Sequence, residues 1–346
     1  MHPANDRFRV ASFFAGVGGI DLGFSLTNIC QIVYANEFDP YAVQTYDLNF
    51  PHPADCRDIH AVKAEELPDM DILVGGFPCQ AFSIAGLRQG CHDEKGRGSL
   101  FFELARILYT KKPRAAFFEN VKNLLTHDNG RTIKIISETL KALGYHVDYR
   151  VLNATEYGNI PQNRERIYIV AFRDIEDFDA FSWPEPIPLT KSVRDIIDFE
   201  HVMPEKYYYT KGKYSGLIYE KLLEAMLDDD PQHPGIYQWR RWYVRKNQRG
   251  VVPTLTANQG GGGHNVCIVK TKYGIRKMTP RECFNAQGFP ASFRLPGESD
   301  SRLYKQAGNS VCVPVIARIA EQMVLAMEAD KGSTCHEESL ACQGVR

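Results

Sequence analysis

The 346-residue chain is short of several features that would settle its class at once. No run of 18 apolar residues occurs, so no membrane-crossing helix is expected. Residues 1–10 hold no apolar stretch of the kind a secretory signal carries, so no signal peptide is expected. The cysteines number nine, an odd count, and none forms a C-x-x-C pair. They read as reduced thiols of a cytoplasmic protein, not as a disulfide framework or a zinc site, and no metal is expected. Net charge is also nearly absent: 41 Lys+Arg face 42 Asp+Glu, which excludes a uniformly basic nucleic-acid coat but leaves room for a local patch. No internal repeat is found. A hydrophobic content of 44% is ordinary for a globular chain and supplies a sizeable core. The length implies about two domains.

Periodicity organises the first half. Short apolar runs predict strands over 8–14, 32–36, 71–75, 115–119, 146–152 and 166–172. Between them, 40–49 and 131–143 read as helices, the first with Pro40 in its opening turn, the second stopping at Gly144. Strands alternating with helices predict a parallel α/β sheet, with ligands beyond the strands' carboxyl ends. A stiff Pro-rich connector at 183–188 ends the pattern, and the chain to about 272 is irregular, aromatic and glycine-rich. An amphipathic helix over 314–329 is expected to return to the first domain. The reading divides the chain into 1–173, 174–275, a return segment 276–330 and a disordered tail 331–346.

Several loops carry chemistry. Gly16, Gly18 and Gly19 follow the first strand, where glycines let a cofactor approach the backbone. Asp21 stands where a dinucleotide fingerprint has its third glycine, which argues against a nicotinamide oxidoreductase. Glu37 after the second strand suits the hydroxyls of an adenosine ribose, and Asp58 in the next loop suits an adenine amino group. Cys79 follows Gly75-Gly76-Phe77-Pro78 and is a candidate thiolate nucleophile. Glu119-Asn120-Val121 ends the fourth strand, and an acid after the buried run 116–118 would be partly desolvated, raising its pKa. Arg164 and Arg166 flank Glu165 and read either as a surface ion-pair cluster or as a clamp for an anion or base. From 231 to 281 there is no Asp or Glu but ten Lys/Arg, with Tyr237, Trp239, Trp242, Tyr243 and Tyr273 among them. That pattern favours nucleic acid over a merely solvated face.

In their order and spacing, six pieces resemble the DNA (cytosine-5)-methyltransferases of prokaryotic restriction–modification systems, over about residues 8–328. They are Phe14 to Gly19, Gly76 to Gln80, Glu119-Asn120-Val121, Gln162 to Arg166, Thr279 to Cys283 and Gln306 to Val311. The resemblance implies a Rossmann-like S-adenosylmethionine-dependent methyltransferase domain with a smaller, irregular target-recognition domain. It implies S-adenosylmethionine as donor and S-adenosylhomocysteine as product. By motif match, Phe14 would stack on the adenine, Glu37 with Phe38 and Asp58 with Ile59 would hold the nucleoside, and Pro78, Leu100, Asn309 and Ser310 would complete the pocket. The family flips its cytosine out of duplex DNA. Cys79 would attack C6, Glu119 would bond N3 and the exocyclic amine, Arg164 would hold O2, and Arg166 would orient the loop bearing the thiolate. The stretch 80–99, with Ser83, would close over the DNA. Arg240, Arg241, Arg245, Lys246, Thr254, Thr256, Gln259, Gly260, Gly261 and His264 are the candidate DNA contacts. Double-stranded DNA is thus the expected partner of a monomer, paired functionally with a restriction endonuclease in a prokaryotic cytoplasm. The alternatives are a tRNA cytosine-5 methyltransferase, though no Cys-Phe-Thr element stands in the second domain, and a non-catalytic DNA-binding module.

Overall fold

The computed structural model describes residues 7–78, 100–212, 216–230, 232–240, 242–259 and 267–341. Its centre is a six-stranded sheet in the order β2-β1-β3-β4-β7-β5. The strands are β1 (Phe8–Phe13), β2 (Cys30–Asn36), β3 (Ile72–Gly75), β4 (Ala115–Val121), β5 (His146–Asn153) and β7 (Glu165–Phe172); Gln162–Asn163 forms the short β6. The buried apolar runs become these strands because a sheet covered on both faces can hide side chains of either parity. Val10, Ile72, Phe117 and Val170 point to one apolar layer. Phe13, Leu73, Phe118 and Ile169 point to the other.

The sheet is mixed rather than all-parallel. β7 runs antiparallel to both β4 and β5. Only residues 154–164 join β5 to β7, holding the four-residue helix α5 (Ala154–Tyr157). A parallel return needs a crossover of a dozen or more residues, so this connection turns the strand back. The antiparallel partner also lengthens β4, pairing Glu119 with Tyr168 and Val121 with Arg166. Glu119 therefore lies within the strand, two residues before its end.

Helices α1 (Gly19–Ser25), α2 (Pro40–Asp47), α3 (Leu100–Lys111), α4 (Arg131–Ala142) and α6 (Ile175–Ala180) belong to this part of the chain. Pro40 takes the first turn of α2, and the Asp39 carboxylate accepts from Tyr41 N. The later helices are α7 (Gly216–Ala225), α8 (Pro280–Asn285), α9 (Asp300–Asn309) and α10 (Val313–Ala341). The helical stretch 300–329 is long and apolar enough to cross a membrane by length and composition, contrary to the sequence expectation, but 67% of its apolar window is buried in the protein. It is a core element, with Val315, Ile319 and Met323 packed under the sheet. α10 also continues to Ala341, where a frayed tail was expected. One glycine, Gly332, does not stop a helix followed by Glu337, Glu338, Leu340 and Ala341.

The second half builds a four-stranded sheet, β12-β11-β8-β9, from β8 (Tyr237–Arg240), β9 (Tyr243–Lys246), β11 (Cys267–Thr271) and β12 (Gly274–Lys277). Leu222 and Met226 of the α7 segment pack with Tyr237, Ile268 and Ile275 of the sheet in a small separate core. β10 (Val252–Pro253) instead crosses to pair with β6. A further core joins Val17 and Ala42 to Val252, Leu255, Phe284, Tyr304 and Val313, so the two halves share buried apolar surface.

Candidate active site

A cleft of about 720 Å³ opens over the ends of β1, β2, β3 and β4. Its floor starts at the turn after β1. Phe14 holds left-handed backbone (φ 53), as do Gly16 (φ 57) and Gly18 (φ 85). For a phenylalanine this conformation is strained, at a cost of order 1–3 kcal/mol, and such strain is characteristic of ligand-binding turns. Gly16 is open to the cleft, and no heavy atom lies within 4 Å of where its Cβ would be. Gly18 is turned inward on Phe50 and caps α1. Below the turn, the buried Asp21 carboxylate accepts from Ser12 Oγ (2.8 Å) and Tyr46 Oη (2.9 Å). Burial pushes its pKa up to about 6.

Glu37 follows β2. Its carboxylate accepts from Gly16 N and Asp39 N, each at 2.8 Å. Burial raises its pKa, with these backbone donors opposing. Glu37 thus locks the glycine turn to the start of α2. Phe38 is exposed beside it. Asp58 is exposed, and one of its oxygens accepts from His60 N (3.0 Å) and faces the His60 ring (2.6 Å). Those contacts lower its pKa, so it is a carboxylate acceptor. Ile59, Pro78, Leu100, Asn309 and Ser310 line the same cleft. Ser310 Oγ is buried and has no hydrogen-bond partner among the described residues, leaving a polar group for a ligand to satisfy.

At the other end of the cleft stand Glu119, Arg164 and Arg166. Glu119 is buried and faces Arg166 Nε at 3.1 Å, an ion pair not aligned as a hydrogen bond. Burial raises the Glu119 pKa, against the pull of Arg166 and Arg164. Arg164 is 2% exposed. Its guanidinium donates to Leu255 O at 3.0 Å, Gly308 O at 3.3 Å and Ser310 O. Burial, then repulsion from Arg166, lowers its pKa to about 9. The surface ion-pair reading of this cluster is therefore overturned. Arg164 ties the strand-forming segment 252–256 to the wall at 308–310. Gly308 fits there because it has no side chain: a Cβ would lie 2.2 Å from the Thr256 carbonyl carbon.

Asn120, which the sequence reading left without a role, is buried and donates from Nδ2 to Phe77 O (2.8 Å). It anchors the chain one residue before Pro78 and two before Cys79. Tyr41, Arg302 and Lys305 also line the cleft and carried no sequence signal of their own. Cys79 and the stretch 80–99, with Ser83, lie outside the described residues, as do Arg241, Gly260, Gly261 and His264. Thr254 donates to Asn163 O (2.6 Å) and Gln259 is buried with its amide on Tyr304 O (3.3 Å), so both hold the segment in place. Thr256 is half-buried against Gly308. Arg240, Arg245 and Lys246 lie on the β8–β9 hairpin.

A family model described as C-5 cytosine-specific DNA methylase matches residues 8–325. The chain is 55% identical over 319 residues to Type II methyltransferase M.Bsp6I of Bacillus sp. (strain RFL6), covering 92% of this chain and 99% of that protein. It is 38% identical over 323 residues to Type II methyltransferase M.HhaI of Haemophilus parahaemolyticus, covering 90% and 93%. Among solved structures, a Spodoptera frugiperda DNMT2 mutant superposes with a TM-score of 0.67 at 21% identity, over 92% of this chain and 99% of that one. A putative DNA modification methyltransferase from an Escherichia coli prophage gives 0.61 at 20% identity, over 93% and 99%. These two likenesses bear on the fold, which is that of a Rossmann-like methyltransferase.

Proposed function

Because the chain belongs to the C-5 cytosine-specific DNA methylases of restriction–modification systems and methylates DNA cytosine at C5, we propose that it acts on a flipped-out base through a covalent Cys79–C6 intermediate. The observation that carries this reading is Glu119, a buried carboxyl whose pKa burial raises, opposite Arg166 in one cleft with Pro78.

The residues of the cleft fit S-adenosylmethionine: an open glycine turn, the two lining carboxylates of Glu37 and Asp58, a half-buried Phe14 and an unsatisfied Ser310 hydroxyl. Glu37 would take the ribose, Asp58 the adenine amino group, and Phe14 and Phe38 the ring faces. When bound, the cofactor supplies an electrophilic methyl group on a sulfonium.

In this reading the cytosine leaves the stack, at a cost of a few kcal/mol, and enters beside Glu119. The Cys79 thiolate forms a bond to C6, and charge builds at N3 and O2. Glu119, in the protonated form that burial favours, donates to N3 and accepts from the exocyclic amine. The sequence reading gave Arg164 to O2. Both its terminal nitrogens are held by three carbonyls, so we assign O2 to Arg166, whose guanidinium faces Glu119, and make Arg164 a positioning residue. Once C5 carries the methyl group, its proton passes to water, the C5–C6 double bond re-forms and the thiolate is expelled. Segment 174–275 would recognise the duplex, and methylation would protect cytoplasmic DNA from a partner endonuclease. A monomer suffices, since each strand is methylated separately.

The test is a duplex carrying 5-fluorocytosine at the target. Fluorine cannot leave as a cation, so the adduct should accumulate as a denaturant-stable protein–DNA complex. It should be absent with Cys79→Ser. A wild-type enzyme that methylates cytosine but never forms the complex contradicts the covalent route.

A further inference from the structure

The β8–β9 hairpin holds the most exposed large aromatics of the acid-free stretch. Trp242, at its tip, is 79% exposed and Tyr243 is 57% exposed. Two adjacent exposed aromatics make an apolar surface patch, a feature of contact sites. Lys221 Nζ donates to Trp242 O (2.5 Å), and Trp242 N donates to Arg240 O, closing the tip.

Strand register sorts the hairpin into two faces. Tyr237 and Trp239 pair with Lys246 and Val244, and that face lies on the core beneath α7. The opposite face carries Gln238 and Arg240 against Arg245 and Tyr243. There Gln238, itself 1% exposed, accepts from Arg245 Nη2 (2.6 Å) and from Arg240 Nη2 (3.2 Å). Two guanidiniums converge on one neutral amide oxygen, within a stretch, 231–281, whose sequence holds no Asp or Glu.

β11 begins at Cys267 opposite Gln238, so the chain enters the sheet at the end from which the tip projects. Eight residues earlier, Gln259 is bonded to Tyr304 O beside the cofactor wall. The projecting end is thus eight residues from the cleft wall along the chain, and the other end, through Val252 on β6, is six.

We propose that Trp242 contacts the bases of the duplex as a stacking wedge, with Tyr243 beside it and the exposed Arg245, oriented by the buried Gln238, on the flanking phosphates. This rests on the reading of the chain as a duplex-DNA methyltransferase and adds a specificity-determining residue to it.

The test uses full-length protein, S-adenosylmethionine and a mixed-sequence plasmid. Trp242→Ala should raise the apparent KM for plasmid about tenfold or more, leave the KM for S-adenosylmethionine within twofold, and spread bisulfite-protected cytosines to related contexts. Trp242→Phe should restore most of the loss. Intrinsic fluorescence should be quenched by plasmid in wild type and much less in Trp242→Ala. Wild-type KM, site choice and quenching in Trp242→Ala overturn the proposal. So does an equal rise in both KM values, which marks a structural role. If wild type methylates nothing, the enzymatic reading fails by itself. Quenching that depends on Trp242 still supports the contact, and quenching unchanged in Trp242→Ala still overturns it.

Discussion

Glu119 shows how burial selects chemistry at the scale of one residue. Desolvation favours its neutral form and two arginines favour its charged form, and burial is the larger effect. Glu119→Gln keeps the shape but loses the proton that moves with N3. Methyl transfer should slow by about 10²-fold or more with little change in DNA affinity; a single-turnover rate near wild type contradicts the assignment. The pH dependence has a fixed sign. A raised pKa keeps the donor protonated to higher pH, so the rate is full below that pKa and falls as pH rises through it. The Gln variant should lack this alkaline limb. Asp21 gives a stability counterpart. Its pKa in the fold is about 6, above the ordinary aspartate value, so the native state binds the extra proton. Stability should therefore fall between about pH 4 and pH 6, then level off, and Asp21→Asn should flatten that slope in thermal unfolding. A slope unchanged in Asp21→Asn removes Asp21 as its source. Sequence showed Asp21 only as a departure from a glycine pattern. Its partners, Ser12 and Tyr46, come from two other elements and leave no local trace.

Among elements, the helix α8 motif shows a resemblance acquiring a physical reason. Thr279 and Glu282 form a reciprocal cap, a signal readable from T-x-x-E spacing. What spacing cannot show is that Glu282 also neutralises the fully buried Arg276 at 2.7 Å and accepts from Asp198 N at 2.8 Å. Glu282→Ala would leave Arg276 buried and unpaired, destabilising the fold by about 3–5 kcal/mol; denaturant unfolding within 1 kcal/mol of wild type, as an order-of-magnitude bound, would show that pairing to be dispensable. The strands 8–13, 30–36 and 72–75 were legible because fully buried runs have few other solutions. The direction of β7 was misread, although the short 154–164 connection already disfavoured a parallel return. The sequence left Arg164 open between a surface ion pair and a clamp, because charge in sequence does not reveal that Leu255, Gly308 and Ser310, all distant in the chain, bring their carbonyls to it.

For the whole molecule, a net charge near zero hides an uneven distribution. If the acid-free stretch 231–281 meets duplex phosphates, log DNA affinity should fall linearly with log salt, with a slope of several units, while cofactor affinity stays flat. A salt-independent DNA affinity contradicts that use of the basic segment. The cofactor cleft was largely legible, since its residues sit on short turns after buried strands. The duplex-reading surface was legible only as composition, because which side chains share a face depends on the register of β8 against β9. The most direct measurement is methylation of a mixed-sequence plasmid with S-adenosylmethionine, read at base resolution by bisulfite conversion. The account predicts protected cytosines in one short context, abolished by Cys79→Ser. A plasmid rich in all short palindromes that stays unprotected, with the cofactor shown to bind, would contradict it.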